Sequence, residues 1–454
     1  MSTFLEEISL FIKQQQNADS SLIRFAHKLE TVNLETLFET LKSSNTPLFY
    51  YSKPIEDKSF LGIGRLETSD SEQFINSISK NNSNPNNSIA SVNFDSDLFN
   101  SLPLVLGSEK FPLEESENLW NDFEDSNWFI PKILVTVNNV NAYLIFQFFG
   151  DNPELSLLEL VLEKISNAER VAIQHSIMYK IISSTDISEW RAAIEKALLE
   201  ISHQNIQKIV LARRIQLAIN GNFNFSKALS ALKGKYPECI TFAYKEKNSI
   251  FFGATPERLF SIKKNNIETE ALAGSIARGI TPDEDFEKQI LLLNNKKDIN
   301  EHNNVLSFIL TNLKDYCEAI YYDTQPQVKK LSNIQHLQTE IRSTLKSGID
   351  VLELQKKLHP TPAVCGLPQK KALELIKELE YFDRGLYAGV IGWFNERSES
   401  EFSVGIRSAL LKNNILTAFA GCGIVDGSNP ALEFQETELK FKPILSLLEN
   451  EITN

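Results

Sequence analysis

Cysteine is scarce in this chain. Only Cys239, Cys317, Cys365 and Cys422 occur among 454 residues. They lie far apart and form no Cys-x-x-Cys pair, which excludes a zinc site or a disulfide framework and reads as reduced thiols of a cytosolic protein. Long apolar runs are also missing. No stretch approaches the roughly 18 apolar residues of a membrane helix, so no membrane span is expected. The opening residues, from Met1 to Phe11, carry neither a basic segment nor an apolar one, so no signal peptide is expected. Positive charge is outnumbered, with 46 Lys and Arg against 59 Asp and Glu and a net charge of −13; the pI is about 5.2. Such a surface argues against nucleic acid and anionic membranes as partners, though it leaves room for a local basic pocket. No repeat recurs at a fixed period.

What is present suffices for a large core. Hydrophobic residues make up 42% of the chain, and its length suggests two or three domains. Residues 1–45 read as helical, with Leu5, Ile8, Phe11 and Ile12 at helical spacing. Pro47-Leu-Phe-Tyr-Tyr51 reads as a strand. The Asn- and Ser-rich stretch 76–96 reads as a mobile surface loop. Residues 133–137 and 142–148 flank Asn138–Asn141 as a hairpin, and residues 154–200 read as helical. From Lys208 onward strands alternate with longer helices. Strands are expected at 210–215, 241–244, 249–253, 259–262, 388–393, 401–406 and 416–420. Helices are expected at 283–314, 348–358, 368–380 and 430–448. Short turns between the strands imply antiparallel sheets with helices outside.

Several residues ask for a chemical explanation. Glu301 shares a helix face with Val305 and Phe308, where a carboxylate needs a partner if it is buried. Read alone, it is an exposed Glu at the edge of the stripe. Ser428-Asn-Pro430 is a good helix start, and Glu433, Glu436 and Lys440 follow on one face. They are either a solvated stripe or a carboxylate cluster for a hard cation; without His or Cys nearby, Mg²⁺ is preferred to zinc. Gly421-Cys-Gly423 ends a strand in a turn that can present backbone N–H groups to an anion, although the pattern does not fit a dinucleotide fingerprint. Glu257 sits at a sharp corner in Gly253-Ala-Thr-Pro-Glu257, and Gly274 lies in Ala271-Leu-Ala-Gly-Ser275. Lys208 opens the apolar run Ile209-Val-Leu211, where it either snorkels or, held away from water, serves as a base.

In this order the segments resemble the chorismate-utilising enzymes. The strings are Lys208-Ile-Val-Leu-Ala-Arg213, Gly253-Ala-Thr-Pro-Glu-Arg-Leu259, Leu272-Ala-Gly-Ser275, Lys297-Asp-Ile-Asn-Glu-His302 and Gln335-His-Leu-Gln-Thr339. They continue through Leu358-His-Pro-Thr-Pro-Ala-Val-Cys-Gly366, Tyr387-Ala-Gly-Val-Ile-Gly-Trp393, Ile406-Arg407, Gly421-Cys-Gly-Ile-Val425 and Glu433-Phe-Gln-Glu-Thr437 to Lys440. The resemblance covers roughly residues 190–450. It divides the chain into a variable N-terminal part, 1–190, and a chorismate-binding catalytic region, 191–450. Within the family the chain is similar to the isochorismate synthase branch in three respects. Residues 358–366 follow that branch's version, Lys208 stands where water-using members carry a lysine, and Ala273 replaces the nucleophilic lysine of aminodeoxychorismate synthases.

The resemblance implies an α+β fold with two large antiparallel sheets packed face to face and helices outside. It also implies Mg²⁺-dependent conversion of chorismate to isochorismate, with salicylate synthesis or non-catalytic chorismate binding as alternatives. Lys208 is expected as the base that activates water at C2, and Glu257 as the acid that protonates the departing C4 hydroxyl. Mg²⁺ is expected at Glu301 and Glu436 with Glu433 in support. Arg407, Lys440 and the amides near Gly421 and Gly423 are expected to hold the enolpyruvyl carboxylate. Gly274, His336, Ala363, Val364, Tyr387, Ile406 and Phe419 are expected to line the ring site. A cytoplasmic monomer acting on a small molecule is expected.

Overall fold

The computed structural model describes residues 2–14, 22–67, 69–80, 89–93, 102–114, 117–138, 141–150, 153–167, 178–332 and 334–449. Among these, the strands form one sheet of 13 and one of nine. The larger sheet runs from Gly366–Leu367 through Lys208–Asn220, Ile415–Ile424, Ser408–Lys412, Ser249–Thr255 and Ile240–Glu246 to Leu48–Lys53. Lys58–Ile63, Ile133–Val137, Ala142–Phe149, Leu22–Leu29 and Ile89–Val92 complete it, and Met178–Ser184 pairs beside Lys208–Asn220. The smaller sheet runs Cys317–Tyr322, Ile334–Leu345, Asn266–Ala277, Arg258–Lys263, Ser400–Val404, Val390–Phe394, Val105–Glu109 and Ser126–Phe129, with Gln327–Lys330 against Ile334–Leu345. Pairing among the described strands is antiparallel except between Leu22–Leu29 and Ile89–Val92. The α+β expectation therefore holds.

Side-chain alternation explains the layering. Along a strand successive residues point to opposite faces. In the larger sheet Leu211, Phe242 and Phe251 join the core shared with Phe260, Ile341 and Phe402 of the smaller sheet. The neighbours of the last two, Ala243 and Phe252, join a second core with Phe4, Phe38, Phe225 and Phe441. That second core lies against helices Ser2–Gln14, Leu34–Leu41, Phe225–Lys235 and Pro430–Glu449. Ile334–Leu345 shows the one-sided case, with alternate residues of its second half buried and exposed, as a sheet with one solvated face requires. The N-terminal part is woven into both sheets: Tyr51 pairs with Phe242, and Leu106 with Trp393.

Four local expectations are corrected. Residues 1–45 are not helical throughout, because Leu22–Leu29 is a strand; its alternating residues meet Ala142–Phe149 in register, and long-range pairing overrides the local pattern. Residues 154–200 likewise hold helices Ser156–Asn167 and Ile187–Ser202 with the strand Met178–Ser184 between them. The 283–314 helix is two, Pro282–Asn294 and Lys296–Leu313. Asn295 separates them, its side chain accepting from the backbone N–H of Lys297 at 2.9 Å, and such a cap starts a new helix. Within 76–96, helix Ser69–Ser79 and strand Ile89–Val92 flank residues 81–88, which lie outside the described residues. Among the described residues no helix is long and apolar enough to cross a membrane.

Candidate active site

A pocket opens between the two sheets, lined by polar and apolar side chains together. The larger sheet supplies Val210 and the run Phe419–Gly423, which pair in register: Val210 faces Gly423 and Ala212 faces Gly421. The smaller sheet supplies Leu272–Ser275 and His336. Between Ala273 and Ser275 the ladder shifts register, and Gly274 takes a φ of +77° there, a conformation open to glycine with little strain.

The expected ring-site residues Gly274, His336, Ala363, Val364, Tyr387, Ile406 and Phe419 all line this pocket, as do Arg407, Gly421, Gly423 and Lys440. Glu257, Glu301 and Glu436 reach it as well. Lys208 lies just behind the wall, fully buried, with Nζ 2.8 Å from Glu301 Oε1. Glu433 is not among the lining residues; Lys297 Nζ donates to its carboxylate at 2.7 Å. Gly423 leaves space that the ends of Glu301 and Lys208 occupy. Any Cβ there would collide with the Glu301 carboxylate and come within 3.0 Å of Lys208 Cε.

The charges are arranged by burial. Burial raises the Glu301 carboxyl, but Lys208, Lys440 and Lys297 outweigh it and hold Glu301 below its ordinary value. Glu257 shows the opposite balance. Burial, aided by Glu270, pushes it up to about 7 against the pull of Lys208, Lys440 and Arg407. One carboxyl is thus an anion and the other a proton carrier near neutrality, as acid–base chemistry at one pH demands. Burial, with Arg407 and Lys440 close by, holds His336 well below its ordinary value. Its Nδ1 lies 3.2 Å from the Gly274 carbonyl oxygen and 2.9 Å from Ser275 Oγ. A neutral ring donating from Nδ1 leaves Nε2 as an acceptor, and Nε2 has no partner among the described residues.

Arg407 and Lys440 bring positive charge to the pocket. Arg407 is buried and adopts a φ of +52°, a left-handed backbone that side chains rarely take and that functional sites often hold. Among the described residues its guanidinium makes no hydrogen bond or ion pair, so its fork is free for a carboxylate. Lys440 Nζ donates to the Gly421 carbonyl at 2.9 Å and pairs with Glu436 at 2.7 Å.

The donor set also suits a hard cation. Among the described residues no group of three or more His, Cys, Asp or Glu side chains gathers to hold a metal. Besides Glu257, two carboxylates, Glu301 and Glu436, face the pocket. Asp298 beside them is pushed up to about 6 by burial and then by Glu301 and Glu436, a sign of concentrated negative charge. Two carboxylates fit Mg²⁺, which completes its shell with water and substrate oxygens, and do not fit zinc.

Sequence reasoning missed Arg384, Ser275 and Ala388 among the lining residues. Arg384 donates to the carbonyls of Val364 and Val210, each at 2.8 Å, and to Glu380. Helix Gln369–Leu379 ends before this pair, so no helical spacing marks it in the sequence.

Comparison with known proteins adds to this geometry. The model of the family described as "Chorismate binding enzyme" matches residues 4–449. An isochorismate synthase of Bacillus subtilis is 33% identical over 356 residues, 77% of this chain and 75% of that protein. One from Haemophilus influenzae is 29% identical across 98% of this chain and 95% of its own length. The solved structure of the menaquinone-specific isochorismate synthase of Escherichia coli superposes with a TM-score of 0.79 at 24% identity, over 98% of this chain and 99% of that one.

Proposed function

The chain belongs to the chorismate binding enzymes and is an isochorismate synthase, and from that premise we propose how its residues carry the reaction. Chorismate enters the pocket between the sheets. Its enolpyruvyl carboxylate is held by Arg407 and Lys440 and by the amides near Gly421 and Gly423. The ring lies against Phe419, Tyr387, Ile406, Ala363 and Val364, beside Gly274 and His336. Lys208 Nζ takes a proton from water as the water oxygen bonds to C2. The ring double bonds shift, the C4–O bond breaks, and the departing hydroxyl takes the proton of Glu257 and leaves as water. The observations that carry this reading are Glu257, pushed up to about 7, and the buried Lys208, whose Nζ stands 2.8 Å from Glu301 at the wall of the same pocket.

Mg²⁺ is the cofactor of this reading. Glu301 and Glu436 would hold it, with Glu433 in support, and it would supply charge neutralisation and positioning for the ring carboxylate. The isochorismate formed would feed menaquinone or siderophore synthesis, since relatives specific to each outlet match the chain.

Incubation with chorismate and Mg²⁺ followed by product identification tests the reading. Isochorismate without free pyruvate is expected. Pyruvate together with salicylate would assign the lyase chemistry instead, and binding without turnover would leave only a chorismate-binding protein.

A further inference from the structure

Arg213 ends the string Lys208-Ile-Val-Leu-Ala-Arg213 yet takes no part in the proposed reaction. It is 1% exposed, on the same strand as Lys208. Its contacts fall on one element. The guanidinium lies 3.8 Å from the Phe434 ring centroid and 4.9 Å from that of Phe441. Nε donates to Thr437 Oγ1 at 2.6 Å, and the other end of the fork pairs with Glu438. Residues 434, 437, 438 and 441 are spaced i, i+3, i+4, i+7, which is one face of helix Pro430–Glu449. Glu436 and Lys440, also four apart, point to the pocket from an adjacent face.

We infer that Arg213 is a positioning residue that sets the rotation of helix Pro430–Glu449 so that Lys440 meets the substrate carboxylate. Each helix residue turns about 100° from the last, so a small rotation sweeps the end of a long side chain by more than an ångström. A planar cation between two rings, with two hydrogen bonds from its edge, resists that rotation in a way an ammonium does not. The grip acts through shape and stacking more than through the Glu438 pair, because Glu438 is half exposed and such pairs contribute little.

This inference rests on the proposed function, and a double-mutant cycle separates the two. Steady-state kinetics on chorismate would be measured for wild type, Arg213→Lys, Lys440→Met and the double variant. Turnover by wild type secures the underlying reading in the same experiment. Arg213→Lys is expected to lower kcat/KM roughly 10- to 100-fold, mostly through KM, because Lys440 holds the carboxylate in ground and transition states alike. In the Lys440→Met background the same substitution is expected to cost at least about threefold less than in wild type, the remaining loss coming from Glu436 on the same helix. Phe434→Leu, which removes one ring of the stack, is expected to show the same dependence on Lys440 and keeps the test open if Arg213→Lys does not fold. Glu438→Gln is expected to stay within about twofold of wild type. An unchanged kcat/KM in Arg213→Lys, or an equal loss with and without Lys440, would overturn the inference.

Discussion

Replacing Glu257 with Gln is expected to make the protein more stable at pH 8 while removing its acid chemistry. Burial and the nearby Glu270 push the Glu257 carboxyl up to about 7, against an ordinary value near 4.3 for glutamate. A gap of that size is worth roughly 4 kcal/mol. The native state keeps the proton up to about pH 7, whereas the unfolded chain releases it near pH 4.3. The native state therefore binds more protons between those values, so stability falls as pH rises through the window and stays lower above it. Glutamine has no such slope. Urea unfolding of both proteins at pH 5 and pH 8 measures the effect. The advantage of the variant should grow by up to about 3 kcal/mol between the two. Wild-type kcat/KM should fall about tenfold per pH unit above pH 7, as the acid is lost, and the variant should lose roughly 10²- to 10⁴-fold at pH 7. Identical pH dependence of stability in the two proteins, or a wild-type kcat/KM that rises steadily from pH 7 to 9, would refute the reasoning.

Three other perturbations probe the same site. Lys208→Ala should abolish hydration while chorismate still binds, measured by initial rates and by titration calorimetry; undiminished turnover would remove the lysine from its role as base. Gly423→Ala places a Cβ against Glu301 and Lys208 and should lower kcat/KM roughly 100-fold, whereas wild-type kinetics in that variant would show that the wall has room to spare. Glu301→Gln should raise the Mg²⁺ concentration for half-maximal rate by about tenfold, the low end of what such losses cost a metal site; saturation at the wild-type concentration would count against Glu301 as a ligand.

Much of the pocket was legible because its residues sit in short ordered strings, each at a turn or strand end. Gly421-Cys-Gly423 and Ala271-Leu-Ala-Gly-Ser275 announce close backbone approach, and both line the pocket. What was not legible depends on distance along the chain. Lys208 and Glu301 meet only because the sheets stack, so the sequence left Glu301 open as a surface residue. The pairing of Glu433 with Lys297 joins two helices and has no local signature. Leu22–Leu29 became a strand because Ala142–Phe149 lies beside it. The break at Asn295 was readable in principle, since asparagine is a strong cap, but continuous helical periodicity on both sides concealed it.

Isotope incorporation tests the central claim most directly. With chorismate and Mg²⁺ in water enriched in ¹⁸O, attack of solvent at C2 and departure of the C4 hydroxyl should place one heavy oxygen on C2 of the isochorismate formed in a single pass. Unlabelled isochorismate, the outcome of the hydroxyl migrating within the substrate, would contradict roles for Lys208 in activating water and for Glu257 in releasing the hydroxyl.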